Sequence, residues 1–177
     1  MDEPTDTPSL GTPSVNTRRF EGARLQAAAF PDDTGEPDAE VSAALAAYAS
    51  GAGGHADVLA ALRLSRLLVP VVALLGEVEY DERGLAHDKS SDMAAVLLTG
   101  ADGRMALLAF TGTEALTTWN AEARPVAVPT AVAARAAVQE RAAALVVDVA
   151  GPVPFVVEGE DLRALAANGL GIPGASR

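Results

Sequence analysis

The sequence predicts an α/β fold, in which a mixed β-sheet has helices on both faces and follows a disordered N-terminal tail. Helix-like and strand-like segments alternate through residues 39–170 in the order α-α-β-β-β-α-β-α-β-β-α, which is typical of this class. Apolar residues make up 49% of the chain, enough to build a core, whereas only 4% of residues are aromatic. Alanine and valine must therefore fill most of that core, and the length favours a single domain with tails.

Residues 1–38 are predicted to form a disordered or weakly ordered tail. This segment is acidic and rich in proline, threonine and serine, and it offers little apolar surface to offset the entropy cost of ordering. The α/β domain is predicted over residues 39–170. Residues 171–177 are predicted to form a short C-terminal tail.

Two helices are predicted at the start of the domain. Val41 and Leu45 are spaced as on one face of a helix, and they follow Asp38, whose side chain can cap a helix N-terminus. Gly51 predicts the end of this helix, because glycine readily adopts the left-handed conformation found there. The helical pattern resumes over residues 56–64, so we expect a second helix directly after the break.

The central strands are predicted from three apolar runs. Residues 67–74 are apolar without alternation, which indicates a strand that is covered on both faces. Pro70 cannot donate a ladder hydrogen bond and therefore predicts a bulge or a sheet edge at its position. Residues 93–99 and 104–110 flank Asp102-Gly103, a dipeptide favoured in tight turns, and are predicted to form a β-hairpin.

The rest of the domain alternates helices and strands. Thr113 is predicted to cap a short helix that ends near Asn120. Further strands are predicted over residues 124–128, 144–149 and 153–158, and further helices over residues 130–143 and 160–167. Strands separated by helices in this way place the sheet between two helical layers.

Charge and composition argue against several classes of function. The net charge is −11, so the chain repels nucleic-acid backbones and anionic membranes, and we expect neither as a partner. No apolar run reaches the roughly 18 residues of a membrane span. The acidic first ten residues do not resemble a signal peptide. We therefore expect a cytoplasmic protein.

The sequence predicts neither a catalytic set nor a metal or cofactor site. The absence of cysteine excludes disulfides, zinc–thiolate sites, iron–sulfur clusters and thiol nucleophiles. His55 and His87 lack metal-ligand spacing. Four acidic residues near the C-terminus are interpreted as strand ends and a solvated helix start, because no loop has the pattern of a hard-cation site: Asp148, Glu158, Glu160 and Asp161.

Candidate interface residues come from the stretch that runs from residue 89 to residue 124. Lys89 is the only lysine, and Lys89 with Asp92 suggests either an activated serine between them or, more simply, the entry to a strand. Thr111 and Trp119 suggest either a groove at the end of a strand or a tryptophan that packs a helix onto the sheet. Arg124 closes the stretch and completes the set of candidates.

Six segments together resemble the N-terminal domain of the SseB family, as found in high-GC Gram-positive bacteria. The segments are LLVPVVALL (67–75), KSSDMAAV (89–96), DGRMALLAFTGTEAL (102–116), Trp119, RPV (124–126) and GPVPFVVEGEDLRALA (151–166). The resemblance covers roughly residues 57–167 and implies a cytoplasmic α/β protein with no established enzymatic activity. Gly112 departs from the family pattern, which more often has serine there.

The family name comes from an enhanced-serine-sensitivity phenotype associated with a sulfurtransferase system. Because this chain has no cysteine, it cannot carry a persulfide itself. The main expectation is therefore a non-catalytic interaction or regulatory protein whose partner is another protein, with a homodimer as a further alternative. The second hypothesis is a small-ligand-binding protein or an enzyme with a site near Lys89, Asp92 and Thr111.

Overall fold

A computed structural model describes residues 14–17, 30, 32–73 and 93–167 of the 177-residue chain. The helices are α1 (Ala39–Ser50), α2 (His55–Leu64), α3 (Thr113–Trp119), α4 (Thr130–Gln139) and α5 (Gly159–Ala167). The strands are β1 (Ser14–Thr17), β2 (Arg66–Ala73), β3 (Met93–Thr99), β4 (Met105–Ala109), β5 (Arg124–Pro129), β6 (Ala144–Val147) and β7 (Phe155–Glu158). From α1 onward the element order is the predicted one. β1 was not predicted, and the proposed C-terminal tail lies outside the described residues.

The strands form one mixed sheet. Its path is β5-β2-β3-β4-β6-β7, and β1 pairs with β3 off this path. β4 and β6 are parallel, whereas the other described pairs are antiparallel. The chain returns from β4 to β6 through α3, β5 and α4, so the carboxyl ends of these two strands meet at one edge of the sheet. The α/β prediction is confirmed.

Side chains of β4 alternate between two buried clusters on opposite faces of the sheet. Leu107 and Ala109 pack against residues of α1, α2, α4 and α5, whereas Leu108 and Phe110 pack against α3. The first cluster is much the larger, and alanines of α4 supply much of its helical side. Both faces therefore carry helices, as the apolar strands predicted.

The ends of three helices show where local sequence signals were sufficient and where they were not. Asp38 caps α1 by accepting the amides of Glu40 and Val41, and Gly51 ends it with φ 74°, both as predicted. The prediction of Thr113 as the cap of α3 is wrong by one residue, because Gly112 occupies that position. α4 ends at Gln139, four residues before its predicted end at residue 143, because Arg141 adopts a left-handed φ of 56°.

Pro70 lies inside the sheet and not at its edge. It faces Pro125 in the β2–β5 ladder. On its other side β2 changes neighbour, from a bridge between Leu68 and Phe110 to the ladder with β3 that begins at Val71. A residue without an amide donor is tolerated at this change of partner, since no ladder bond is required there.

The β3–β4 hairpin confirms the predicted turn. Gly103 has φ 77°, a conformation that glycine adopts without steric cost, and the amide of Gly100 donates to the carbonyl of Arg104 at 2.8 Å. The side chain of Asp102 accepts a hydrogen bond from the Arg104 amide at 3.0 Å, which further stabilises the turn. No helix in the described part of the chain is long and apolar enough to cross a membrane.

Candidate functional site

The structure places three of the five candidate interface residues. Lys89 and Asp92 lie outside the described residues. Trp119 packs its ring 5.6 Å from that of Phe110, so it holds α3 on the sheet, and Arg124 is exposed at the start of β5. Thr111 is buried two residues after the end of β4. No hydrogen bond or ring contact between described residues joins Trp119 or Arg124 to Thr111.

Thr111 and Asp148 form a buried pair at the carboxyl ends of β4 and β6. The Thr111 amide donates to Asp148 Oδ1 at 2.8 Å, and the Thr111 hydroxyl donates to Oδ2 at 2.7 Å. The amide of Asp148 continues the parallel ladder by donating to the carbonyl of Ala109 at 3.0 Å. The side chain of Asp148, at the end of β6, therefore binds both the backbone and the side chain of Thr111, beyond the end of β4.

Burial disfavours the charged form of Asp148. The residue is 4% exposed, and this desolvation raises the pKa of its carboxyl group above the ordinary value. The two hydrogen bonds from Thr111 act in the opposite direction, since they stabilise the carboxylate, but burial is the larger effect. Asp148 is thus a buried carboxyl group that takes up a proton more readily than an exposed aspartate does.

The turn after β6 fixes the backbone of Asp148. Its φ is 52°, a left-handed conformation that aspartate tolerates better than most residues. The amide of Gly151 donates to the Asp148 carbonyl at 2.8 Å. A Cβ atom at Gly151 would lie 2.9 Å from the Asp148 Cβ, so the turn can close this tightly only with glycine.

A groove of about 480 Å³ lies above the Thr111–Asp148 pair. α1 forms one wall and α3 forms the other, and the turn between β6 and β7 closes the end. The walls are mainly apolar, with polar groups concentrated at the floor and on α3. Besides Thr111 and Asp148, the lining includes Pro37, Ser42, Leu45, Ala46, Glu114, Ala115, Thr118 and Val153.

Residues 32–38, here called the strap, lie against the domain and are held by Arg66 of β2. The guanidinium forms a two-point contact with Asp33, through Nε and through Nη2, the latter 3.0 Å from Oδ1. It also donates to the carbonyls of Glu36 (2.6 Å) and Thr111. One arginine therefore joins the strap to the strand end that bears the buried pair.

Arg66 also sets the charge state of its partner. The side chains of Arg66 and Asp33 are only 12% and 14% exposed. The hydrogen bond from Arg66 holds the pKa of Asp33 below its ordinary value, against the opposing effect of burial. Asp33 is thus stabilised as a carboxylate, in contrast to Asp148.

The strap packs on the start of α3 through two glycines. The Thr113 amide donates to the Gly35 carbonyl at 2.8 Å, which satisfies a free amide at the helix N-terminus. A Cβ atom at Gly112 would lie 2.9 Å from Pro37 Cδ and 3.2 Å from the Gly35 carbonyl oxygen. The φ of Gly112 is −148°, so space and not backbone conformation requires glycine here. This contact explains the departure from serine noted in the sequence.

The four acidic residues weighed as a cation site are not brought together. Because β6 and β7 are antiparallel, Glu158 lies beside Ala144 at the opposite edge from Asp148. Asp161 instead lies 3.4 Å from His55 Nε2. Within the described ranges, no three histidine or acidic side chains converge as metal ligands would.

A second depression, of about 460 Å³, lies on the sheet face beyond α3. Leu98, Val146 and Val156 contribute its apolar surface, and Val156 is 44% exposed. Its charged residues are exposed at the rim, where Arg104 binds Asp102 and lies 3.7 Å from Glu158. The groove differs from this depression in having a buried, hydrogen-bonded carboxyl group at its floor.

Sequence reasoning identified Thr111 but missed its partner and the strap. Asp148 directly follows β6 and Thr111 lies two residues after the end of β4, so each comes at the end of an apolar run, and this shared position was the available signal. Using it requires knowing that β4 and β6 are parallel neighbours, although β5 comes between them in the chain. Asp33 and Arg66 carried no local signal, because they are 33 residues apart and Asp33 lies in the segment predicted to be a tail.

Comparison with known proteins gives one finding. The family model described as SseB protein N-terminal domain matches residues 41–164, which includes most of α1, the turns that form the groove and most of α5. No curated protein and no solved structure gives a significant match. The match covers well over half of the chain and begins after the strap. The chain therefore belongs to the SseB N-terminal domain family.

Proposed function

We propose that this SseB-family protein acts in the cytoplasm as a non-catalytic interaction or regulatory protein. In this proposal the groove above Thr111 and Asp148 holds a short segment of a partner protein. The observation that carries the proposal is the groove itself, which combines apolar walls with a few polar groups at the floor. That combination is typical of sites that bind by contact, since apolar surface supplies affinity and polar groups supply orientation.

The floor of the groove is preorganised. Thr111 and Asp148 hold each other through two hydrogen bonds, and the Gly151 turn fixes the backbone beside them. Arg66 fixes the strap, which contributes Pro37 to the wall. Binding to such a surface does not require these groups to be ordered anew, so more of the contact energy remains available for affinity.

The second candidate function is a small-ligand-binding protein or an enzyme that uses the same groove. It is favoured by one observation, the 2.7 Å contact between the Thr111 hydroxyl and a carboxylate, because a hydroxyl beside a base is the arrangement of an activated nucleophile. The volume of about 480 Å³ is also within the range of small-molecule sites. Lys89 and Asp92, the other members of the hypothesised site, are not among the described residues.

Capture of partners from native lysate tests the main proposal. The bait is the full chain, and the test variant is Ala46→Trp, which places a large ring in the groove from an exposed position on α1. The matched control is Ala60→Trp, the same change at an exposed position on α2 outside the groove. We expect a partner, identified by mass spectrometry, that binds the wild type and Ala60→Trp but not Ala46→Trp.

A partner that binds all three baits equally would contradict the use of the groove. The absence of any specific partner would contradict the interaction role itself. Accumulation of a small molecule on the wild type alone, detected by native mass spectrometry, would favour the second candidate.

The contribution of the N-terminal tail requires a deletion that spares the strap. Removing residues 1–38 would also remove Asp33, which binds Arg66, and Asp38, which caps α1. Removing residues 1–31 leaves both contacts in place but also removes β1, which pairs with β3. Loss of the partner with the longer deletion alone would indicate the strap, whereas loss with both deletions would indicate the segment before the strap, β1 included.

A further inference from the structure

We propose that the partner segment held in the groove carries a basic side chain next to an aliphatic one, with the basic group directed to the carboxylates of Asp148 and Glu114. This inference rests on the proposed function, because it names the chemistry of the partner that the groove would hold.

The charged side chains that line the groove are all acidic. Glu114 and Asp148 carry carboxyl groups, and the described lining residues include no lysine, arginine or histidine. The whole chain has a net charge of −11, so its long-range field acts in the same direction. Such a field raises the association rate of cations and repels acidic partners.

Asp148 has acceptor capacity that Thr111 does not use. A carboxylate offers about four lone-pair positions, and Thr111 donates one hydrogen bond to each oxygen. The ion pairs found among described residues do not include Asp148. A guanidinium or ammonium group beside this buried carboxylate would form a charge-assisted bond and would offset the cost of burying the charge.

The walls have the length of about two residues of extended chain. Ser42 and Ala46 lie four positions apart on α1, and Glu114 and Thr118 lie four positions apart on α3. Each pair spans about 6 Å at 1.5 Å per residue, whereas an extended chain advances about 3.3 Å per residue. Successive side chains of an extended chain point to opposite sides, so one residue can reach Glu114 and Asp148 while its neighbour lies along the α1 wall.

The apolar wall suits an aliphatic side chain. Leu45 and Val153 present branched carbons, and Ala46 and Ala115 leave the space between the two helices open. An aliphatic side chain placed there removes apolar surface from water on both partners. The basic group then supplies orientation, because its position is set by the carboxylates at the floor.

Two peptides that differ only in charge test the inference. One is an acetylated and amidated tetrapeptide of sequence glycine–leucine–arginine–glycine, and the other has citrulline in place of arginine. Each is titrated into the ¹⁵N-labelled full chain while amide chemical shifts are recorded. We expect shifts at Thr111, Gly112 and Ala115, and a dissociation constant at least about fivefold lower for the arginine peptide, a preference that weakens at high salt because salt screens charge.

Matched variants separate the groove from the general acidic surface. Glu114→Gln is expected to weaken binding of the arginine peptide about two- to fivefold and to leave the affinity for the citrulline peptide unchanged. Glu160→Gln, at an exposed position outside the groove, is the control and is expected to change neither. A response to both variants would overturn the assignment to the groove.

The inference and the proposed function fail in different ways. Equal affinity for the two peptides, shifts elsewhere on the surface, or no shifts at about 5 mM peptide would overturn the inference. If Ala46→Trp still abolished capture of a lysate partner, the proposed function would stand with a partner of different chemistry. If neither capture nor peptide binding depended on the groove, both would be wrong.

Discussion

Thr111 binds both oxygens of the Asp148 carboxyl group, with its amide 2.8 Å from Oδ1 and its hydroxyl 2.7 Å from Oδ2. The two residues are 37 positions apart and lie at the carboxyl ends of parallel strands. Both are buried, so water competes only weakly for these bonds. The pair therefore ties β4 to β6 and at the same time forms the floor of the groove.

Replacing Thr111 by valine is expected to destabilise the protein by about 1–3 kcal/mol. The change keeps the shape of the side chain but leaves Asp148 Oδ2 buried without its donor. Urea denaturation measures the free energy of unfolding. Thr111→Ser, which keeps the hydroxyl, should recover most of the loss, and Thr118→Val at an exposed position should change stability by no more than about 0.5 kcal/mol. A stable Thr111→Val would contradict the role given to the hydroxyl.

The pH dependence of stability is expected to contain a component from Asp148. Because burial raises its pKa, the folded protein keeps this proton to a higher pH than the unfolded chain does. Between the unfolded pKa of about 3.9 and the raised folded pKa, the free energy of unfolding therefore falls as pH rises. Asp148→Asn cannot lose a proton, so its stability relative to wild type should increase over that interval. A difference that is constant with pH would contradict this prediction.

Arg66→Met is expected to lower the free energy of unfolding by about 2–4 kcal/mol, because it leaves Asp33 and two carbonyl groups without their donor. Hydrogen exchange should become faster at the amides of Gly35 and Thr113, which mark the strap and its contact with α3. Arg63→Met, at an exposed position on α2, is the matched control. Unchanged exchange at Thr113 would show that the strap does not depend on Arg66.

Asp33→Asn is expected to remove a component of the stability that depends on pH in the direction opposite to the component from Asp148. Arg66 lowers the pKa of Asp33, so the stability from this pair is present above the unfolded pKa of about 3.9. It is lost as pH falls through the lowered folded pKa. Denaturation curves of wild type and Asp33→Asn should therefore converge in acid. Curves that diverge as pH falls would contradict the assignment.

Gly112→Ala and Gly112→Ser are expected to displace the strap. An added Cβ atom would lie 2.9 Å from Pro37 Cδ, and the resulting strain should cost about 1–3 kcal/mol. Amide exchange at Thr113 should become faster, because its bond to the Gly35 carbonyl is disturbed. Gly54→Ala is the control, since its Cβ atom would lie at an ordinary 3.7 Å from the nearest atom. If the amide-exchange rate at Thr113 changed in Gly54→Ala but not in the Gly112 variants, the local explanation would be wrong.

Local pattern was sufficient for most of the fold. The spacing of Val41 and Leu45, the cap at Asp38 and the turn at Gly103 act within a few residues, so a linear sequence displays them completely. One error occurred where a distant contact lies at a helix end. The Gly35 carbonyl receives the Thr113 amide, which moves the cap of α3 to Gly112.

The candidate site was only half visible in the sequence. Thr111 could be proposed because it ends an apolar run, but its hydrogen-bond partner depends on the order of strands in the sheet. The strap was interpreted as part of a tail, since its composition is polar and its anchor, Arg66, is 33 residues away. Polar contacts between distant residues produce no periodic pattern in the sequence.

By itself, the sequence determined the α/β class, the family and the succession of helices and strands, because these follow from spacing, composition and turn chemistry along the chain. Tertiary structure alone decided that β4 and β6 lie side by side, that Asp148 meets Thr111 and that Arg66 holds the strap. The physical reason is that a groove is made of surfaces from distant segments. Their meeting depends on how the whole sheet is ordered, which local interactions do not specify.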